Sequence, residues 1–408
     1  MTTVLAIDHV GAQGDGVAVA DGDRIYVPGT LAGERVEVDV GGDRARLLRV
    51  LEPSPGRQSP PCRHFGVCGG CALQHMAGET YRAWKTERVL RALHHRGFGD
   101  VNIRPLWISP SASRRRARLT AINARDGVVL GFNQRGTNRV FDLAECPVLQ
   151  PEITGLLPNL RGLLRDMLPT GKRGQIHLTM SEAGLDLVLD LPGNLNLAKR
   201  ERLAVFGEET DVARISWGEG AELVLERRPP YVTFADHRVK VPPAAFLQVS
   251  DEAEQAMLAD VREVVGDAGA VADLFSGLGT FGFPLVKAAR VDAFDGNQAA
   301  IAALSAAAGG GRIKAWTRDL FRKPLRPDEF AEYDAVVIDP PRAGARAQVE
   351  QLAAARVPVV AMVSCNPATF ARDARTLVDG GYDLEWVRPF DQFIWSAEVE
   401  VVAAFRRS

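Results

Sequence analysis

From Pro242 onward, short apolar runs alternate with segments of helical character, and this alternation constrains the fold more than any other feature of the chain. Ala270-Val271-Ala272-Asp273-Leu274-Phe275 reads as a buried strand, as do 291–294, 333–338, 357–363 and 399–405, and an alanine-rich helix is expected over 299–308. Strands alternating with helices bury both faces of a mostly parallel sheet, so a Rossmann-like, doubly wound α/β sheet is predicted for 241–408.

The first 240 residues carry a different pattern. Runs at 4–7, 16–20, 24–27, 34–40 and 45–51 alternate apolar and polar residues between Gly and Asp clusters. Five short strands with such turns predict an OB-like barrel over 1–55. A proline-rich stretch, 52–61, then marks a boundary, and a compact loop with three cysteines, 62–71, leads into a helix expected over 79–96. TAINARDGVVLGF and KRGQIHLTMSEAGLDLVLDL read as antiparallel hairpins. Residues 56–240 are therefore expected to form a central α+β domain with a cysteine cluster, which makes the whole a multi-domain α/β protein.

Length agrees, since 408 residues exceed what one hydrophobic core organises. No apolar run approaches the 18 residues of a membrane span, and the N-terminus lacks the pattern of a secretory signal. A cytoplasmic monomer without a membrane partner is expected. The net charge of −2 means that any polyanion must be met by a local patch.

In Asp273-Leu274-Phe275-Ser276-Gly277-Leu278-Gly279-Thr280-Phe281-Gly282 the glycines follow a strand and open a helix, where α/β sheets seat cofactors. Asp295 ends the next strand, at a position where a carboxylate accepts hydrogen bonds from ribose hydroxyls. These features alone leave a dinucleotide and S-adenosylmethionine both open.

Asp339-Pro340-Pro341-Arg342 and Ser364-Cys365-Asn366-Pro367 each follow a predicted strand, so both loops point into the same crevice. Cys365 carries the chemistry. C5 of a uridine is too weak a nucleophile to attack a methyl donor. Addition of a thiolate to C6 makes an enolate with carbanion character at C5, and a general base must later remove the C5 hydrogen. Arg342 is a candidate for the positive field that lowers a thiol pKa.

The other four cysteines, Cys62, Cys68, Cys71 and Cys146, form a complete ligand set once Cys365 is set aside. Four thiolates suit zinc or an iron–sulfur cluster, and spacing leaves both open.

DLFSGLGTFG, DPPRAG, VSCNP and EVEVV together resemble the RNA 5-methyluridine methyltransferases, and GDGVAVADGDRIYVPGTLAGERVEV resembles the RNA-binding TRAM domain. With CRHFGVCGGCALQH the resemblance spans the chain and leans towards the iron–sulfur-containing ribosomal RNA branch. It implies Cys365 as nucleophile and Glu400 as base. It implies Gln248, Phe275, Thr280, Asp295, Asp319 and Asp339 at the cofactor, and a [4Fe-4S] cluster rather than zinc on the four cysteines. It also implies S-adenosylmethionine as donor and structured RNA, ribosomal rather than transfer RNA, as partner. Three positions depart from the family pattern: Glu398 stands where histidine is common, Asp295 where glutamate is, and Ser250 where asparagine is.

A flipped-out base is the expected substrate form. Arg114, Arg115, Arg116, Arg118, Arg135 and Arg139 are candidate phosphate contacts, and His64 and Phe65 candidate stacking residues; packing or a solvated surface explains each equally well. Two other functions stay open. One is an RNA cytosine-C5 methyltransferase, against which Arg342 stands where that class carries a second cysteine. The other is a non-catalytic RNA-binding assembly factor.

Overall fold

The computed structural model describes residues 2–20 and 22–407. The N-terminal unit is a six-stranded sheet in the order Thr2–Ala6, Arg35–Gly41, Arg44–Glu52, Asp23–Pro28, Asp15–Ala20, His9–Val10. Five of these strands are the expected ones. The sixth, His9–Val10, is too short to show alternation in the sequence. The edge strands are consecutive in the chain, and Leu5, Ile7, Val27, Val36 and Val38 fill the core beneath the sheet. Arg57, in the proline-rich stretch, is bonded to buried Glu34 at 2.5 Å.

The central unit is a second six-stranded sheet, ordered Glu222–Glu226, Arg214–Trp217, Gly184–Asp190, Arg173–Ser181, Arg116–Ala124, Gly127–Gly131. Both expected hairpins form, with two-residue turns closed by Ala124 opposite Gly127 and by Ser181 opposite Gly184. Helix Pro151–Met167 buries Ile153, Leu156, Leu157, Leu160, Leu163, Leu164 and Met167 against this sheet. These positions recur every three or four residues, the spacing of one helix face.

The C-terminal sheet contains β1 (Ala270–Leu274), β2 (Arg290–Asp295), β3 (Ile313–Thr317), β4 (Ala335–Ile338), β5 (Val359–Ser364), β6 (Tyr382–Asp391) and β7 (Glu400–Arg407) in the order β3-β2-β1-β4-β5-β7-β6. The first five are parallel; β7 inserts antiparallel between β5 and β6. β4 and β5 are fully buried runs such as Val359-Val360-Ala361-Met362-Val363-Ser364, as a sheet covered on both faces requires. The order turns back at β1 and β4, which opens a crevice at the carboxyl ends of those strands. The helix expected after the glycine turn is one turn long, Gly282–Leu285, and contains Pro284, which has no N–H to donate.

The earlier part of the chain is built into this unit. Strand Trp107–Ile108 pairs in parallel with the end of β6. Helix Gly78–His94 packs Val89 and Leu93 into the core that holds Phe370 and Leu377. That helix also buries Lys85 completely; its ammonium sits 2.7 Å from Asp391 Oδ1 and donates to the Glu398 carbonyl at 2.6 Å. The Tyr81 hydroxyl donates to the other Asp391 oxygen. A buried charge is tolerated when it is paired and fully hydrogen-bonded, and this one ties helix Gly78–His94 to the segment between β6 and β7. Among the described residues no helix is long and apolar enough to cross a membrane.

Candidate active site

A cavity of about 640 Å³ lies at the carboxyl ends of β1, β2, β4 and β5. Its floor is the glycine turn. Gly277 and Gly279 have φ of 55° and 88°, and a side chain at Gly279 would stand 2.7 Å from the Phe283 ring. Phe275 adopts φ 60° although it carries a side chain, a strained conformation of the kind concentrated at binding sites, and its ring meets Phe321 across the cavity at 5.4 Å. Asp295 accepts from the Gly277 amide at 3.0 Å and the Asn297 amide at 2.7 Å, so its carboxylate is fixed with lone pairs to spare. Asp319 is held by the amides of Phe321 and Arg322.

Cys365 and Glu400 line the same cavity, and the register explains why. Ser364, the last residue of β5, pairs with Val401 of β7. One step further along an antiparallel ladder sets Cys365 opposite Glu400, where paired Cα atoms are typically about 5 Å apart. Asn366 caps the next helix through the Ala368 amide and donates to the Arg342 carbonyl at 3.2 Å, which joins the two proline loops. Of the residues singled out in the sequence, the cavity brings together Gln248, Phe275, Asp295, Asp319, Asp339, Cys365 and Glu400; Thr280 is not among its lining residues. Glu398 turns away from it and pairs with Arg342 at 3.1 Å.

Burial dominates the electrostatics. Burial and the neighbouring Asp295 push Asp339 up to about 7. Burial, Asp339 and Glu398 push Glu400 up to about 8, against the opposing effects of a Gln392 hydrogen bond and Arg342. Asp273, beneath the glycine turn, is raised to about 8 by burial and by Asp339 and Asp295, against the opposing effect of the Gly282 amide. Cys365 is raised to about 12 by burial, Glu400 and Asp339. Arg342 acts on the thiol in the expected direction, but burial, Glu400 and Asp339 outweigh it. Its side chain is two-thirds exposed at 66% and already paired. The cavity holds excess negative charge, so a cation entering it shifts every one of these groups towards ionisation.

A residue that sequence reasoning missed sits at the centre. Gln392 is buried; its Nε2 donates to Glu400 Oε1 at 2.8 Å and to Gln248 Oε1 at 3.0 Å, and its Oε1 accepts from the Val249 amide at 3.0 Å. Gln248 Nε2 continues the chain to Asp339 Oδ2 at 3.3 Å. The available signal was a polar pair, Asp391-Gln392, flanked by Phe390 and Phe393.

The other four cysteines line a separate cavity of about 190 Å³. Burial raises Cys71 to about 12 and raises Cys68 and Cys146, while donors oppose it: the Gly70 amide on Cys68, the Gln74 side chain on Cys71, and the Val148 and Leu149 amides on Cys146. The buried Arg114 guanidinium faces Cys146 and Cys71. Among the described residues no group of three or more His, Cys, Asp or Glu side chains could hold a metal ion as they stand.

A family model described as tRNA (uracil-5-)-methyltransferase matches residues 317–407, the stretch that carries Asp319, Asp339, Cys365 and Glu400. An uncharacterized RNA methyltransferase of Brucella suis biovar 1 is 44% identical over 410 residues, covering 100% of this chain and 98% of that protein. The 23S rRNA (uracil(1939)-C(5))-methyltransferase RlmD of Nitrosococcus oceani is 31% identical, covering 99% and 96%. The chain belongs to the RNA uracil-C5 methyltransferase family. The crystal structure of Pyrococcus abyssi tRNA (uracil-54, C5)-methyltransferase with S-adenosyl-L-homocysteine shares the fold, with a TM-score of 0.74 at 23% identity over 99% of this chain and 100% of that one.

In this methyltransferase the basic run at 114–116 serves a different purpose from phosphate binding. Arg115 is 3% exposed; it donates to the Gln248 carbonyl at 2.8 Å, to Glu254 at 2.6 Å and to Asp251. Arg116 donates to the Leu247 carbonyl and lies over the Phe246 ring at 4.7 Å. Arg114 lies over Phe393 at 5.7 Å. The run thus clamps the segment that presents Gln248. Arg135 is engaged with Asp15 at 2.5 Å, whereas Arg118 and Arg139 are exposed. His64 is buried against Phe141, and Phe65 packs on His75, so neither ring stands free to stack on a base.

Proposed function

We propose that this enzyme methylates C5 of a uridine in ribosomal RNA, with Cys365 as nucleophile and Glu400 as general base. The observation that carries the reading is the pairing of β5 with β7, which sets a thiol and a carboxyl across one cavity from the glycine turn and Asp295. S-adenosylmethionine fits the cavity's chemistry, because its sulfonium and ammonium groups match the surplus carboxyls, and when bound it supplies an electrophilic methyl group. Asp295 and Asp319 would hold its ribose end, and Phe275 and Asp339 would border its reactive end.

Cys365 adds through sulfur to C6, and the ring electrons move towards O4. C5 would then take the methyl group as its bond to the sulfonium sulfur breaks, leaving the neutral thioether of the donor. Glu400 removes the C5 hydrogen, and the returning electron pair expels the Cys365 thiolate. Both groups must first lose the protons that burial leaves on them, so a positive charge in the cavity is part of their activation.

The ribosomal target is supported by the 31% identical relative, named for 23S rRNA, and by the TRAM-like N-terminal sequence, for which an OB-like barrel is the proposed form. For the four cysteines we propose a [4Fe-4S] cluster. Amide donors and a guanidinium aimed at buried thiols are what thiolate ligands of a cluster require.

Nucleoside mapping of ribosomal RNA from a deletion strain should find one 5-methyluridine missing. Wild-type protein should form a covalent adduct with that RNA carrying 5-fluorouridine, visible as a mass shift, and Cys365→Ala should not. Full activity in Cys365→Ala refutes the mechanism.

A further inference from the structure

We propose that Gln392 is a positioning residue for substrate choice: it fixes the Gln248 side-chain amide so that the NH2 group of Gln248 faces the base and selects an oxygen at C4 of the pyrimidine against an amine. The proposal rests on the reading of this cavity as a uracil-C5 methylation site.

A glutamine amide presents a donor or an acceptor depending on which way it is turned, and nothing within the side chain prefers either. Here the direction is set from outside. The Val249 N–H is a backbone group and can only donate, so Gln392 must turn Oε1 towards it, at 3.0 Å. Nε2 of Gln392 then faces inward, and its two hydrogens go to Glu400 Oε1 at 2.8 Å and Gln248 Oε1 at 3.0 Å. Gln248 has its oxygen committed to Gln392 and its nitrogen turned towards Asp339 Oδ2, at 3.3 Å. One bond to Asp339 uses one of the two hydrogens on Gln248 Nε2 and leaves the other for the cavity that Gln248 lines. The polarity of the whole chain therefore starts at a main-chain amide that cannot be reversed.

The order of the residues also matches the order of atoms on a pyrimidine. Glu400 serves C5, and the atom next to C5 along the ring edge is C4. Gln392 joins Glu400 to Gln248, so the residue beside the base-abstracting carboxyl is the one whose donor is fixed. Uracil carries an acceptor oxygen at C4, and cytosine carries an amine that would meet a donor with a donor. Sites built around one hydrogen-bonding pattern reject the mismatched analogue strongly, because buried polar groups are left unpaired. Glu400 keeps Oε2 uncommitted to Gln392, so the same contact orients the carboxyl.

The test uses the full-length protein as isolated, with S-adenosylmethionine, on short RNA hairpins that span the uridine unmethylated in the deletion strain. Hairpins are synthesised with uridine or cytidine at that position. KM is measured for the uridine hairpin, and Ki for the cytidine hairpin as competitor. Gln392→Met keeps the length of the side chain but releases Gln248 to turn, and discrimination between the hairpins should fall about tenfold or more. Gln392→Glu, close to isosteric, cannot donate to Gln248 when ionised. It should turn Gln248 around and bring the cytidine hairpin's Ki down to or below the uridine hairpin's KM. A variant that slows uridine methylation but leaves the ratio of Ki to KM unchanged overturns the proposal, since Gln392 would then act on Glu400 alone. Wild-type protein that makes no 5-methyluridine fails in its own arm and overturns the underlying reading as well.

Discussion

Replacing Glu400 with glutamine should make the protein more stable in alkaline solution while removing the proposed catalytic base. Glu400 is 4% exposed, and its carboxyl is raised from an ordinary value of 4.5 to about 8 by burial, Asp339 and Glu398. Below pH 4.5 both folded and unfolded chains carry the proton, and the group contributes no pH dependence. Between 4.5 and about 8 the unfolded chain has lost a proton that the folded chain keeps, so folded stability falls as pH rises. Above about 8 the loss is complete. A change of that size corresponds to about 4–5 kcal/mol for one independent group. Asp339 shares the cavity and the charge, and about half, 2–3 kcal/mol, is the reasonable expectation for Glu400 alone. At about 2–4 °C per kcal/mol for a domain of this size, Glu400→Gln should melt about 5–10 °C above wild type at pH 9 and level with it at pH 5. The substitution is clean, because a glutamine oxygen still accepts the Gln392 bond. Calorimetry or dye-monitored melting across this range reads the difference. Melting curves offset equally at pH 5 and pH 9 would refute the raised carboxyl.

Two further substitutions probe the surroundings. Arg342 lowers both Cys365 and Glu400; Arg342→Met should raise both, so the rising limb of the pH–rate profile moves to higher pH, and an unmoved limb contradicts the assignment. Cys71→Ser should cost bound iron by colorimetric assay and quicken amide exchange over 392–399, because Ala72 and Leu73 donate to the Trp395 carbonyl at 2.7 and 2.9 Å; unchanged exchange denies that link.

Strands β1, β2, β4, β5 and β7 were legible because they are continuous apolar runs, which hydrophobic periodicity reports directly; β3, exposed along most of its length, and β6, which carries charged residues and Pro389, were not. The glycine turn, Asp295 and Cys365 were legible for a related reason: each sits at the end of such a run, where the crevice must be, whereas Glu400 was singled out only by the family resemblance. Gln392 was not legible. It lies between Asp391 and Phe393, and nothing local distinguishes a polar residue that bridges two cavity side chains from one that starts a turn. Arg115 misled for the opposite reason. A run of arginines suggests a surface, whereas Arg115 is desolvated between Glu254 and the Gln248 carbonyl. Pairs that lie more than a hundred positions apart in the chain leave no trace in its periodicity.

The segment that links β6 to β7 shows why three units of the chain are needed for one reaction. Glu400 keeps a raised pKa only while it stays buried, and a free connection between two strands would let water reach it. This connection is held from outside at several points. Lys85 and Tyr81 fasten Asp391 from helix Gly78–His94. The Tyr81 hydroxyl also accepts the Trp395 amide at 2.7 Å, and Lys85 takes the Glu398 carbonyl. Ala72 and Leu73, next to Cys71, bind the Trp395 carbonyl, and Trp395 itself is held at φ 60°. Ile394 lines the cysteine cavity, and Arg114 of the central unit covers Phe393. The cysteine loop and the central unit therefore form part of the wall that keeps Glu400 buried and aimed.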